Sequence, residues 1–172
     1  MRRLAKDEAV AFVERERVRL LTETERCLMC VLGRADRDEN LVVAENDHAT
    51  LRLNRLPSRR SELMVILRRH AEQNADVRPD EYLALYSLAH RAACTLERHR
   101  GALRVFVAQL GAPDEVLTSY PHVHVHVLPL YEGGDASRPA RVFSWSDAIH
   151  GYDDGEAEAE AASLRHAFGR EP

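Results

Sequence analysis

The stretch Ser119-Tyr120-Pro121-His122-Val123-His124-Val125-His126-Val127-Leu128-Pro129 decides how this sequence is read. On a β-strand, successive side chains point to opposite faces. His122, His124 and His126 therefore share one face, while Val123, Val125 and Val127 share the other and are free to enter a core. Three imidazoles on one sheet surface are costly to bury without partners, so that surface reads as the lining of a polar site. The chain has nine histidines in 172 residues, and chance rarely sets three of them in strict alternation with valines. Two chemistries use such an arrangement. In one, His-x-His on a strand presents imidazoles to zinc. In the other, one histidine is a nucleophile and its neighbours fix its tautomer and bind phosphate oxygens.

Working outward, the segment Glu62-Leu63-Met64-Val65-Ile66-Leu67 is an apolar run that reads as a buried central strand. Leu41–Ala44 and Thr50–Leu53 read as two short strands joined by a turn at Asn46-Asp47, and Leu103–Gln109 as a further strand. Asp80, after Pro79, opens a long helix that runs to about Arg100, with Gly101 as its C-terminal stop. Leu85, Leu88, Ala92, Leu96 and Leu103 supply its core-facing stripe, and Cys94 is expected as a small buried residue. An amphipathic helix is expected from Lys6 to Arg26, its apolar positions Val10, Val13, Val18 and Leu21, ending at a Cys27–Cys30 turn. An alanine-rich acidic helix closes the chain from Glu156 to Phe168. Helices flanking a short antiparallel sheet make an α+β fold of about five strands and one long helix. It is expected as a single domain over 1–172, with an N-terminal helix over 1–26, a core over 27–130 and a C-terminal tail and helix over 131–172.

Composition narrows the function classes. Apolar residues make up 45% and charged residues 30%, as in ordinary globular proteins. No run approaches the roughly 18 apolar residues of a membrane helix, and the basic N-terminus lacks the apolar stretch of a signal peptide. A cytoplasmic protein is expected, without membrane association. A net charge of −4 gives no footprint for nucleic acid. Arg59-Arg60 and Arg68-Arg69 are each either a local positive site for a small phosphorylated ligand or plain solvated surface. Three cysteines, Cys27, Cys30 and Cys94, argue against a disulfide framework. Cys27-x-x-Cys30 is by itself a weak zinc half-site.

His-φ-His-φ-His-φ-φ, with φ apolar, resembles the signature of the histidine-triad superfamily, and His122 to Leu128 satisfies it at every position. The resemblance continues along the chain in the family's order. It takes in Cys27-Leu28-Met29-Cys30, Arg52-Leu53-Asn54, Pro57, Ser61 to His70, Gln109-Leu110-Gly111 and Ser119. It implies cleavage at the α-phosphate of a nucleotide conjugate through a nucleotidyl-histidine intermediate, with no organic cofactor. By that resemblance His124 is the nucleophile. His126 and Ser119 donate to the phosphate oxygens, and His122 completes the triad. Gln109 places the phosphate or leaving group, and Asn54 stands where the family has an aspartate on the ribose hydroxyls; it is either a weakened ribose contact or a strand-end turn residue. A backbone carbonyl on the neighbouring strand is expected to fix the His124 tautomer. Zinc-binding bacterial members imply a structural Zn²⁺ held by Cys27, Cys30, His70 and His122. Family members are commonly homodimers with a sheet continued across the interface.

The chain also departs from the pattern. Ser61-Glu62 replaces the family's Gly-His, Leu117-Thr118 replaces a Gly-Gln, and the loop from Gln109 to His122 is two residues longer. A carboxylate at position 62 is expected to repel a polyphosphate and to favour a neutral or cationic leaving group such as an amine. A zinc enzyme whose metal does the chemistry and a nucleotide-binding module without turnover are the alternatives. The segment Arg141-Val142-Phe143-Ser144-Trp145 either shapes specificity or packs over the sheet.

Overall fold

The histidine–valine alternation is realised in β6 (His124–Leu130), where Val125 and Val127 have no solvent exposure. Each buried valine contributes about 1.5–3 kcal/mol, so the valine face fixes which way the histidines turn. The computed structural model describes residues 1–35, 38–110, 120–143 and 149–171. β6 pairs antiparallel with β4 (Leu63–Leu67) on one side and with β5 (Arg104–Gln109) on the other. β2 (Val42–Glu45) and β3 (Ala49–Leu53) extend the sheet, giving the antiparallel order β2-β3-β4-β6-β5.

The valine face is covered by α3 (Pro79–Arg100) and α5 (Glu156–Phe168). α3 starts where Pro79 removes an N–H that the helix start would leave unpaired, and Glu81 returns to cap the Arg78 N–H at 3.0 Å. It stops at Gly101, whose φ of 69° few other residues adopt cheaply. Leu85, Leu88, Ala92 and Leu96 pack on Val65, Val125 and Val127, with Leu164 and Phe168 of α5 in the same core.

On the histidine face, α1 (Lys6–Thr24) ends at Glu25 in the left-handed region, and Cys27 caps a second helix, α2 (Leu28–Gly33). The expected turn at Cys27–Cys30 is thus a helix start. A Cβ on Gly33 would lie 2.9 Å from Ile66 Cγ2 and 3.1 Å from Leu67 O, so glycine lets α2 sit against β4. Beyond it, α4 (Pro139–Phe143) lays Val142 and Phe143 on Leu128, Leu130 and Phe106. The Phe143 part of the tail packs as one of the two expectations had it; Trp145 lies outside the described residues. Two three-residue strands, β1 (Arg2–Leu4) and β7 (Ile149–Gly151), form a separate antiparallel pair.

Several expectations are corrected here. α1 buries Ala9 and Leu20, while Val10, Val18 and Leu21 are about half exposed (47–52%), because the helix docks on the adjacent stripe. Leu103 lies after α3 and is exposed, and Cys94 is only partly buried. Neither arginine pair is a free cationic site. Arg60 pairs with Glu156 and Glu160, Arg68 with Glu45 and Arg69 with Glu81, and Arg59 donates to the carbonyls of Ser58 and Ala136. No helix among the described residues is long and apolar enough to cross a membrane.

Candidate active site

The three histidines divide their work. His122 sits just before β6, fully buried, with its ring turned toward α2. Its position is set by the chain on both sides of the sheet end. Val123 N–H donates to Ala71 O at 2.7 Å, and Leu67 N–H donates to Val123 O at 3.2 Å. This lacing carries His70, three residues beyond β4, to the same corner.

Four donor atoms converge there. His122 Nδ1 lies 3.4 Å from Cys27 Sγ and 3.5 Å from Cys30 Sγ, and His70 Nδ1 lies 3.6 and 3.4 Å from the same sulfurs. The two Nδ1 atoms are 3.2 Å apart, and all four donors lie within 4.8 Å of one another. A tetrahedral zinc with bonds of about 2.3 Å to sulfur and 2.0 Å to nitrogen requires donor edges of about 3.5 Å for S···N and 3.3 Å for N···N. The cluster meets that test. The outer ring nitrogens are also placed for it, since His122 Nε2–H donates to Leu67 O at 2.7 Å and His70 Nε2 faces Glu72 Oε1 at 3.2 Å. Such contacts hold a ligating imidazole in one tautomer. Burial, reinforced by Cys27, pushes the Cys30 thiol up to about 12, so its thiolate requires a cation beside it. Burial, with the neighbouring His70, holds His122 down at about 4, which keeps it a neutral donor. Thr50 and Arg52 of β3 bind the carbonyls of Gly33 and Leu32 and so tie the end of α2 to the sheet.

His124 faces a different environment. It is 2% exposed, and its Nδ1–H donates to the carbonyl of His122 at 2.7 Å. The tautomer is thereby set by a carbonyl two residues upstream in the same segment, not by one on a neighbouring strand as the sequence suggested. Nε2 is left with its lone pair. Burial, together with the charge His126 would carry, holds the ring down at about 3, so it is uncharged at neutral pH.

His126 lies opposite Met64 of β4 and Ala108 of β5. Its ring meets that of His124 edge-on at 5.2 Å and that of Phe143 at 6.3 Å. Its Nδ1–H donates to Glu62 Oε1 at 3.0 Å. Glu62 is buried, and the rest of its carboxylate is engaged: Asn54 Nδ2 donates to Oε1 at 3.0 Å and the Ser58 N–H to Oε2 at 2.7 Å. The expectation of a carboxylate confronting the leaving group is therefore revised, because it is turned onto His126. Asn54 stands beside it. Its amide holds Glu62 and receives the Leu56 N–H at 3.1 Å, the work of a strand-end turn residue. Gln109 pairs in register with Val125, on the valine side, and donates to Asn74 Oδ1 at 2.7 Å. Ser119 lies outside the described residues.

Solved structures share this architecture. A Zn-bound histidine triad family protein from Mycobacterium smegmatis superposes with a TM-score of 0.65 at 20% identity, over 85% of this chain and 95% of that one. A uridylyltransferase gives 0.64 at 17% identity, over 94% of this chain and 51% of that one. A diadenosine triphosphate hydrolase from Plasmodium falciparum gives 0.59 at 13% identity, over 77% and 79%. At such identities the likeness is one of fold. The sequence itself matches the HIT domain model over residues 36–133, more than half of the chain, and on that match the protein belongs to the HIT family.

Proposed function

We propose that the chain is a nucleotidyl hydrolase or transferase in which His124 Nε2 attacks the α-phosphorus of a nucleotide conjugate and forms a nucleotidyl-histidine. One observation carries this reading: His124 Nδ1–H is committed to the His122 carbonyl, which leaves Nε2 as the unprotonated nitrogen of a buried, uncharged ring. Such an imidazole is a competent nucleophile, and splitting one displacement into two lowers each barrier. Phosphate oxygens in the transition state need fixed donors, and His126 and Ser119 are our candidates. Asn54 we assign to holding Glu62, and Gln109 to bracing the segment before α3.

Cys27, Cys30, His70 and His122 are proposed as a structural zinc site. Four protein donors complete a tetrahedron, and a catalytic zinc keeps a position open; this argues against a reaction run on the metal. Zinc bound there would supply rigidity and would hold the His122 ring. The reading extends to residues 1–172 acting as one domain, in the cytoplasm, where Cys27 and Cys30 stay reduced. A homodimer is proposed through β5, an edge strand that leaves Val107 41% exposed beside the exposed Leu103.

The test is mass spectrometry of the protein quenched during turnover of adenosine phosphoramidate, a diadenosine polyphosphate, a nucleotide sugar and a cytidylyl conjugate. A phosphorus–nitrogen adduct on His124 is expected, and His124→Ala should abolish it without changing metal content. Binding without adduct or turnover across the panel would make the protein a nucleotide-binding module instead.

A further inference from the structure

We infer that Glu62 is a positioning residue that sets His126 as the proton donor to the leaving group, and that the site takes conjugates whose leaving group departs as an amine or alcohol in preference to a polyphosphate. This rests on His124 as the nucleophile. A buried carboxylate costs several kcal/mol to desolvate unless it is paired. Its hydrogen bonds from Asn54 and Ser58 are neutral, and among the described residues His126 is the ionisable side chain hydrogen-bonded to it. The ion pair is complete when His126 carries two protons, one on Nδ1 facing Glu62 and one on Nε2. Among the described residues, Glu62, Met64, Ala108, Phe143 and His124 stand around that ring, and of these only Glu62 and His124 are titratable.

The aim of Glu62 is built in. Ser61, just before it, holds a φ of 64°, and its N–H donates to Tyr152 at 3.2 Å while its hydroxyl donates to Glu160 of α5 at 2.6 Å. A turn held this way sends the next side chain back under β6.

In the first step the bond from His124 Nε2 to phosphorus forms and the bond to the leaving atom breaks. That atom keeps the bonding pair and takes the Nε2 proton of His126, which becomes neutral. In the second step water oxygen bonds phosphorus as the N–P bond breaks. One water proton passes to His126 Nε2, and His124 returns uncharged. A departing polyphosphate needs no such proton; an amine or alkoxide does.

Wild type, Glu62→Gln and Glu62→Asp are compared on adenosine 5′-phosphoramidate and on the 4-nitrophenyl ester of AMP, whose leaving group departs unprotonated. Glu62→Gln is expected to lose about 100-fold in kcat on the phosphoramidate and no more than about fivefold on the ester, with KM little changed. Glu62→Asp should recover part of the loss. Equal losses on both substrates, or a loss in KM alone, overturn the inference. If wild type turns over neither substrate, the His124 reading fails separately, and ¹⁵N NMR of the His126 ring decides the role of Glu62. Nδ1 should be the protonated, hydrogen-bonded nitrogen in wild type, and its ¹⁵N shift should move in Glu62→Gln. Identical Nδ1 shifts in the two proteins, or an unprotonated Nδ1 in wild type, overturn it.

Discussion

Ser61 Oγ donates to Glu160 Oε1 at 2.6 Å, joining the turn before β4 to the C-terminal helix. Ser61 has φ 64°, a region that costs a non-glycine residue about 1–2 kcal/mol. Ser61→Gly should therefore be near neutral, relieving backbone strain while giving up the hydrogen bond. Ser61→Val should cost more than about 2 kcal/mol, since it loses the bond and puts a branched side chain where φ is positive. Urea unfolding of both variants checks the order, and equal stabilities would contradict it.

Zinc is expected at about one ion per chain when the protein is purified without chelator, as measured by elemental analysis. Cys30→Ser or treatment with a strong chelator should lower Tm by more than about 5 °C, because metal affinity is also folding affinity. Protein that contains no zinc and melts unchanged with chelator would refute the site.

Glu81 gives a pH signature. The fork of Arg69 grips its two oxygens at 2.8 Å each, and this hydrogen bonding holds the carboxyl down at about 2 from an ordinary 4.5. A carboxylate with a depressed folded-state pKa adds stability above its unfolded value, and that stability is lost as pH falls. Glu81→Gln should thus be less stable than wild type by about 1–3 kcal/mol near neutral pH. The gap should shrink as pH drops from 4.5 toward 2. A gap independent of pH would show that the charge is not responsible.

Gly33→Ala places a methyl 2.9 Å from Ile66 Cγ2 and 3.1 Å from the Leu67 carbonyl. Overpacking of this kind costs about 1–3 kcal/mol, and here the strain falls between α2 and β4. Zinc affinity should weaken along with stability, in a competition titration against a chromophoric chelator. Wild-type affinity in the variant would show that α2 shifts without moving its cysteines.

Much of this is legible in the amino-acid sequence. The alternation from His124 to Val127 fixed both faces of β6, since a period of two admits one assignment, whereas His122 lies just before the strand. Pro79 and Gly101 marked the ends of α3, and the donors at 27, 30, 70 and 122 do meet at one point. The pairing of Glu62 with His126 was hidden, because it depends on the positive φ of Ser61, which a serine does not advertise. α2 spans six residues, too few to show helical periodicity, and β1 and β7 are three residues each with most of the chain between them. In α1 two neighbouring stripes carry apolar residues, and the one holding Ala9 and Leu20 is buried.

One further consequence lies in His122, which serves the two sites with different parts of itself: its imidazole faces the sulfurs and its peptide oxygen grips the ring two residues on. Neither task can be retuned alone. A substitution that tilts this residue to suit an ion at the sulfurs would swing the oxygen as well and loosen the grip on the next imidazole, so any proposed metal and the set of the His124 ring would have to change together.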